Sequence, residues 1–173
     1  KTLPKGIEQI KSLRKIWLGR NKVLDPTEVF EKLPFIEQVG FGGCQFTQIP
    51  KNIRNAPNIT NLWLAGNRIT SVTPLIPLKK LRNLTLNKNQ LTHLPKGLAS
   101  LNISGLSLNH NPKLNLDRAI KTLVKMKKLV QLSLANNGYT TLPDNIKQLS
   151  HLKVLVLRGN NIGKTQQERI KKW

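Results

Sequence analysis

The chain has 173 residues, enough for one well-buried domain, and 29 lysines and arginines against eight acidic residues give it a net charge of +21. No apolar run approaches the roughly 18 residues of a membrane span, and the single cysteine excludes an internal disulfide. A surface this basic attracts polyanions, although a solvated lysine coat that keeps the protein soluble is the simpler interpretation.

One phrase, L-x-x-L-x-L-x-x-N, recurs along the whole chain, and its clearest copy runs from Leu81 to Asn89. The copies begin at residues 13, 36, 59, 81, 103, 129 and 152, so their spacing is 22 or 23 residues except for one interval of 26. This pattern predicts a leucine-rich repeat solenoid over residues 1–173: a right-handed, curved α/β repeat with parallel strands on its concave face and loops, turns and short helices on its convex face.

The last position of each phrase is predicted to form a structural ladder. The leucines of x-L-x-L face inward, and the residue that ends the strand can satisfy backbone groups of its own turn and of the next repeat. Cys44 holds this position in the second copy, where a small buried side chain fits, so we interpret it as structural rather than as a nucleophile. The predicted ladder is Asn21, Cys44, Asn67, Asn89, Asn111, Asn137 and Asn160.

The segments between strands predict short returns on the convex side. Four of them contain Leu-Pro or Ile-Pro, with another apolar residue three positions after the proline, and this indicates a short loop or turn. Two others predict helices: one over 25–30, with Asp25 as its N-cap, and one over 117–124 in the longest repeat.

The two ends of the array differ in their predicted caps. Thr165 and Glu168 match a capping box and predict a C-terminal helix over 165–173, in which Ile170 and Trp173 cover the last leucine layer. No comparable N-terminal cap precedes Leu3, because the chain opens within a repeat. We therefore expect that Lys1 is not the natural start or that further residues precede it.

These features resemble a known family. The segment from Asn89 to Leu98 matches, end to end, the short leucine-rich repeats of bacteria, notably spirochaetes and Bacteroidetes, and residues 168–172 are similar to their closing helix. The resemblance covers essentially the whole chain. It implies a non-enzymatic binding module, often exported to the periplasm, the cell surface or the medium, although a cytoplasmic location stays open. The second repeat, with Gly40 and Cys44 in place of the usual residues, departs from the pattern.

The exposed strand positions form three columns on the concave face, and only Lys15 and Arg158 of the 29 basic residues lie in them. Trp17 and Trp63 share a column with Gly40 between them. Two strand spacings would separate the two rings by about 10 Å. The rings would then form the sides of a slot for an apolar side chain, an aromatic ring or a sugar ring. In the alternative interpretation, each indole lies flat over Gly40. The predicted interaction residues are Lys15, Trp17, Gln38, Gly40, Gly42, Asn61, Trp63, Asn83, Thr85, Asn87, Ser107, Asn109, Gln131, Ser133 and Arg158.

Basic residues cluster instead just before the strands. No aromatic residues alternate with them, so we interpret this basic edge as a site of non-specific polyanion attraction rather than base readout. Its predicted members are Lys11, Arg14, Lys79, Lys80, Arg82, Lys125, Lys127 and Lys128.

No motif indicates catalysis, a cofactor or a metal site, since His93, His110 and His151 occupy different registers of three repeats. We predict a monomeric, non-enzymatic module that binds a protein or peptide on its concave face. One alternative is a binder of anionic glycan or lipid, such as lipopolysaccharide or glycosaminoglycan, through the basic edge, with nucleic acid disfavoured. The other is a structural spacer of a longer protein.

Overall fold

Seven short strands form one parallel sheet in chain order. The structure is a computed structural model that describes residues 2–22 and 24–170, without the side chains of Gln167, Arg169 and Ile170. The register joins equivalent residues of successive repeats, so that Ile16 pairs with Val39 and Val39 with Leu62. The predicted leucine-rich repeat solenoid is confirmed. Its strands are β1 (Lys15–Trp17), β2 (Gln38–Gly40), β3 (Asn61–Trp63), β4 (Asn83–Thr85), β5 (Gly105–Ser107), β6 (Gln131–Ser133) and β7 (Val154–Val156).

Most returns are 3₁₀ helices rather than open loops. The N-cap prolines of three of them, Pro50, Pro95 and Pro143, have φ of −67°, −66° and −68°, which is the value that the proline ring imposes. Each of these helices then buries one apolar residue, as the Leu-Pro phrase predicts. The five 3₁₀ helices in the described residues are Ile7–Gln9, Lys51–Asn55, Thr73–Leu75, Lys96–Ser100 and Asp144–Gln148.

Two returns are α-helices. In α1 (Pro26–Lys32), a carboxylate oxygen of Asp25 accepts a hydrogen bond of 2.8 Å from the backbone N–H of Thr27, as its predicted N-cap role requires. The second helix, α2 (Leu116–Leu123), begins one residue earlier than predicted. Its cap is Asn115, whose amide oxygen accepts from the Arg118 N–H at 2.9 Å.

The inward leucines form a continuous core along the array. Leu62, Leu84 and Leu106 in the middle strands are at most 3% exposed, whereas Ile16 in β1 and Leu155 in β7 are only partly buried. The two outer repeats have a stacking partner on one side only, and this explains the difference.

The ladder asparagines connect each repeat to the one before it. The amide nitrogen of Asn89 donates to Leu64 O at 2.9 Å and to Leu86 O at 3.0 Å, and its amide oxygen accepts from the Ile69 N–H at 2.9 Å. Asn67, Asn111 and Asn137 are buried in the same way. Asn21 is exposed, and its bonds to described residues lie within its own turn, to Leu18 O at 3.1 Å and to Gly19 O at 3.5 Å.

Cys44 replaces an asparagine in this ladder. Its side chain is 1% exposed, and its thiol donates to Leu18 O, the strand-end carbonyl of the preceding repeat, at 3.2 Å. The thiol thus reproduces the donor role of an asparagine, with no carbonyl oxygen to accept a bond in return.

The last described helix, α3, spans Lys164–Ile170. The predicted capping box is wrong, because Thr165 is the second residue of the helix. Gly163 O accepts from the Gln166 N–H at 3.0 Å, so the first turn forms before Thr165. Trp173 and the rest of the predicted helix, residues 171–173, lie outside the described residues. Across the described part of the chain, we find no helix with both the length and the apolar character that a membrane crossing requires.

Candidate binding site on the concave face

Trp17 and Trp63 form a contacting pair, called here the aromatic pair. Their ring centroids lie 4.7 Å apart with an interplanar angle of 79°, an edge-to-face contact. Trp17 is 61% exposed, and Trp63 is half-buried. The pair therefore presents one exposed indole face at the N-terminal half of the sheet.

The predicted open slot between the two rings is wrong. Gly40 lies beneath the Trp17 ring, because a Cβ atom built on Gly40 would come within 2.7 Å of Trp17 Cε3. The missing side chain lets the indole extend across β2 until it makes the edge-to-face contact with Trp63. The alternative interpretation, in which each indole lies flat over Gly40, cannot hold for both rings, because their planes are 79° apart. The expected separation of about 10 Å would have required both rings to stand perpendicular to the sheet.

A second ladder of polar side chains lies on the concave face, at the C-terminal ends of β4–β6. The Asn87 amide oxygen accepts from Ser107 Oγ at 2.7 Å and from the Asn109 N–H at 2.9 Å. The Asn109 amide oxygen accepts in turn from Ser133 Oγ at 2.6 Å and from the Ala135 N–H at 2.7 Å. These hydroxyls, predicted as ligand donors, are used within the protein. In the described residues, the amide nitrogens of Asn87 and Asn109 have no protein acceptor, so they keep a donor for a ligand.

A shallow hollow of about 290 Å³ lies over β4–β7. Its floor includes Gly105, where an added Cβ would be 2.7 Å from the Asn83 amide oxygen. The predicted residues Asn83, Thr85 and Gln131 line it, and Thr85 pairs in register with Trp63. The aromatic pair and the hollow are therefore adjacent parts of one surface.

Val154 and Val156 line the C-terminal side of the hollow but were absent from the predicted site. Val154 is 43% exposed, which makes it one of the few large apolar side chains left open to solvent. The strand register already placed both valines in the concave columns, so their apolar character at solvent-facing positions was the signal that could have found them.

The remaining predicted residues surround these features. Lys15 and Arg158 are exposed on β1 and just beyond β7, and they are far apart along the array. Gln38, Gly42 and Asn61 are half-buried beside the aromatic pair. The concave face is thus uncharged between its two ends.

All eight residues of the predicted basic edge are exposed, but several are already engaged. Arg14 donates to Lys11 O at 2.7 Å and lies 3.7 Å from a Glu37 carboxylate oxygen. Lys79 and Lys80 donate to side chains of the adjacent repeats, at 3.0 and 2.7 Å. Lys125 separates from this group and lines a pocket among the return segments instead.

Comparison with known proteins gives the same class as the geometry. An internalin C2 of Listeria monocytogenes is similar over 95% of this chain and 69% of its own, with 28% identity and a TM-score of 0.76. A leucine-rich repeat protein of Leptospira interrogans is similar over 92% of this chain and 46% of its own, with 28% identity and a TM-score of 0.67. The chain is a leucine-rich repeat protein of the short type found in these bacterial structures.

Among curated proteins, Tsukushi of Gallus gallus is 31% identical over 91% of this chain. The chain spans about half the length of that relative, 51%. No protein-family model matches the chain.

Proposed function

We propose that the chain is a binding module that holds an extended segment of a partner protein, or a peptide, along its concave face. The observation that carries the proposal is the continuity between the exposed Trp17 indole and the hollow over Gly105, on a face without charge between its ends. Tryptophan is one of the residues most enriched at binding hot spots, which cluster in pockets.

The dimensions of the face suit an extended segment. Seven strands are separated by six intervals of about 4.8 Å, so the face is about 29 Å long, the reach of about nine extended residues. A ligand lying across the strands would place one apolar side chain on Trp17 and another in the hollow against Val154. Between them, the free amide nitrogens of Asn87 and Asn109 would donate to its backbone carbonyls.

Selection from a displayed library of random peptides of about 12 residues, longer than the roughly nine that span the face, tests the proposal. Peptides enriched on the wild-type protein should lose binding to Trp17→Ala and to Gly105→Val, which fills the hollow. Phe35→Ala is the matched control, since Phe35 is 57% exposed and lies outside the concave columns. Enriched peptides that bind all four proteins equally, or no enrichment at all, would contradict the proposal.

A second candidate function is attraction of polyanions to the basic edge. The charge of +21 favours it, and so does the small number of basic residues that are neutralised. Among the described residues, the ion pairs are Arg14–Glu37 and Lys32–Glu28. Salt distinguishes the two candidates. Binding through the basic edge should weaken steeply as ionic strength rises, and binding through the aromatic pair and hollow should change little.

A further inference from the structure

The return segments enclose a basic pocket that is separate from the concave face. It has a volume of about 620 Å³ and lies among the 3₁₀ helix Lys96–Ser100, α2 and the 3₁₀ helix Asp144–Gln148. We propose that this pocket, called here the convex pocket, binds a compact anion that carries two or more phosphate or sulfate groups. The site requires neither the peptide on the concave face nor the basic edge, with which it shares only Lys125.

Charge is the first support. Lys96, Arg118, Lys121 and Lys125 all line the convex pocket, with His93 beside them, and no aspartate or glutamate is among the lining residues. The acidic residues adjacent in sequence, Asp117 and Asp144, precede lining residues but do not themselves line it. Four permanent cations around one concavity repel each other, and a polyvalent anion removes that repulsion.

The second support is that these cations have no other partner. Among the described residues, none of the four side chains makes an ion pair or a hydrogen bond, unlike Lys79 and Lys80, which bridge adjacent repeats. Arg118, Lys121 and Lys125 are spaced i, i+3 and i+7, so they lie on one face of α2 and its C-terminal turn. Their charges therefore converge on the convex pocket.

The third support is an unused amide in the wall. The Asn145 side chain lines the convex pocket, and its Oδ1 is sealed from solvent without a hydrogen-bond partner. Its amide nitrogen makes no hydrogen bond within the described residues either, which leaves a donor for an anionic oxygen. Thr122, by contrast, is satisfied, because its hydroxyl donates to Leu94 O at 3.3 Å.

The convex pocket owes its walls to the one long repeat. The interval of 26 residues between the fifth and sixth phrases leaves room for α2, whereas the intervals on either side form 3₁₀ helices. The eight-residue α2 carries Arg118 and Lys121, and the turn after it carries Lys125 on the same face, an arrangement for which a five-residue 3₁₀ helix is too short.

Calorimetric titration of the full chain with inorganic tripolyphosphate and, separately, with a trisulfated disaccharide tests the proposal and shows which anion is preferred. We expect saturable binding that the double variant Arg118→Gln, Lys121→Gln weakens by at least about tenfold, the loss expected for two charge-assisted hydrogen bonds. The matched control is Lys79→Gln, Lys80→Gln, which removes the same charge from the basic edge and should weaken binding by less than about twofold.

Asn145→Asp provides an independent measurement, because it keeps the shape of the side chain and adds a negative charge in the wall; we expect it to abolish binding. Circular dichroism establishes whether each variant is folded. If a variant is not folded, the single variants Lys96→Gln and Lys125→Gln are tested in its place. Equal weakening by the two double variants, unchanged binding to Asn145→Asp, or no saturable binding of either anion to the wild type would overturn the proposal.

Discussion

Trp17 lies across Gly40 and meets Trp63 edge-on, with ring centroids 4.7 Å apart. The glycine is what makes this contact possible, since any Cβ at that position would occupy space now taken by the indole. The exposed aromatic surface of the concave face therefore depends on a residue that contributes no side chain of its own.

The first prediction concerns Gly40→Ala. The added methyl, placed 2.7 Å from Trp17 Cε3, should push the indole away and break the edge-to-face contact, so near-ultraviolet circular dichroism and tryptophan emission should change. The free energy of unfolding should change by less than about 1 kcal/mol, because a lost aromatic contact of about 0.5–1.5 kcal/mol opposes a gain of similar size from replacing glycine in a strand.

Gly42→Ala is the control for this prediction. A Cβ at Gly42 would make an ordinary contact of 3.4 Å with Ala65 O, so its spectrum should match that of the wild type. Spectra that are the same for all three proteins would show that Trp17 does not rest on Gly40.

The second prediction concerns the ladder. Asn111 is fully buried, and Asn111→Ala would leave the Leu91 N–H without its partner. It would also remove one of the two donors to Leu86 O and to Leu108 O, which keep their bonds from Asn89 and Asn137. The unsatisfied N–H costs about 1–3 kcal/mol and each of the two lost carbonyl bonds about 0.5–1.5 kcal/mol, so urea unfolding should show a loss of at least about 2 kcal/mol. Asn21→Ala, at the exposed first position of the ladder, should cost less than about 1 kcal/mol. Similar costs at the two positions would contradict the bridging role.

The architecture was predictable because it depends on residue positions rather than on side-chain conformations. Leucine in alternate strand positions and asparagine at the strand end leave few choices for the backbone, and residues such as Leu62 and Asn67 lie where the repeat places them. The start of α2 was missed by one residue, because Asn115 caps the helix and Leu116 is its first residue.

The surface was less predictable, because its geometry depends on torsions that no repeat specifies. The χ angles of Trp17 decide between a slot and a covered glycine, and both arrangements are compatible with the same strand register. Ser107 and Ser133 were predicted to donate their hydroxyls to a ligand, whereas in the structure they donate to Asn87 and Asn109. Each hydroxyl lies one strand beyond an asparagine in the adjacent column, so cross-repeat pairing was implicit in the sequence.

The third prediction separates structural from ligand-binding hydroxyls on the concave face. If Ser133 is held by Asn109, a double-mutant cycle between Asn109→Ala and Ser133→Ala should give a coupling energy of about 0.5–1.5 kcal/mol in urea unfolding. Thr85 provides the control, because its side chain makes no hydrogen bond in the described residues, and its coupling to Asn109 should be near zero. A coupling energy near zero for Ser133 would contradict this bond and would leave its hydroxyl free to donate to a ligand.

The fourth prediction is a pH dependence that arises at Tyr139. Burial raises the pKa of Tyr139 to about 12, and its hydroxyl donates to Leu114 O at 3.2 Å. The unfolded chain ionises its tyrosine near pH 10, so the stabilising contribution is complete below about pH 10 and is lost as the pH rises from about 10 to about 12.

Comparison with Tyr139→Phe isolates this effect, because lysine deprotonation is common to both proteins. At pH 8 the variant should be less stable by about 1 kcal/mol, since it lacks the hydrogen bond. Because the side chain is partly exposed, solvent screening limits the high-pH loss to about 1–2 kcal/mol, and only the wild type undergoes it. The difference in the free energy of urea unfolding should therefore shrink or change sign between pH 8 and pH 11.5. A difference that stays constant over this range would show that Tyr139 ionises equally in the folded and unfolded chains.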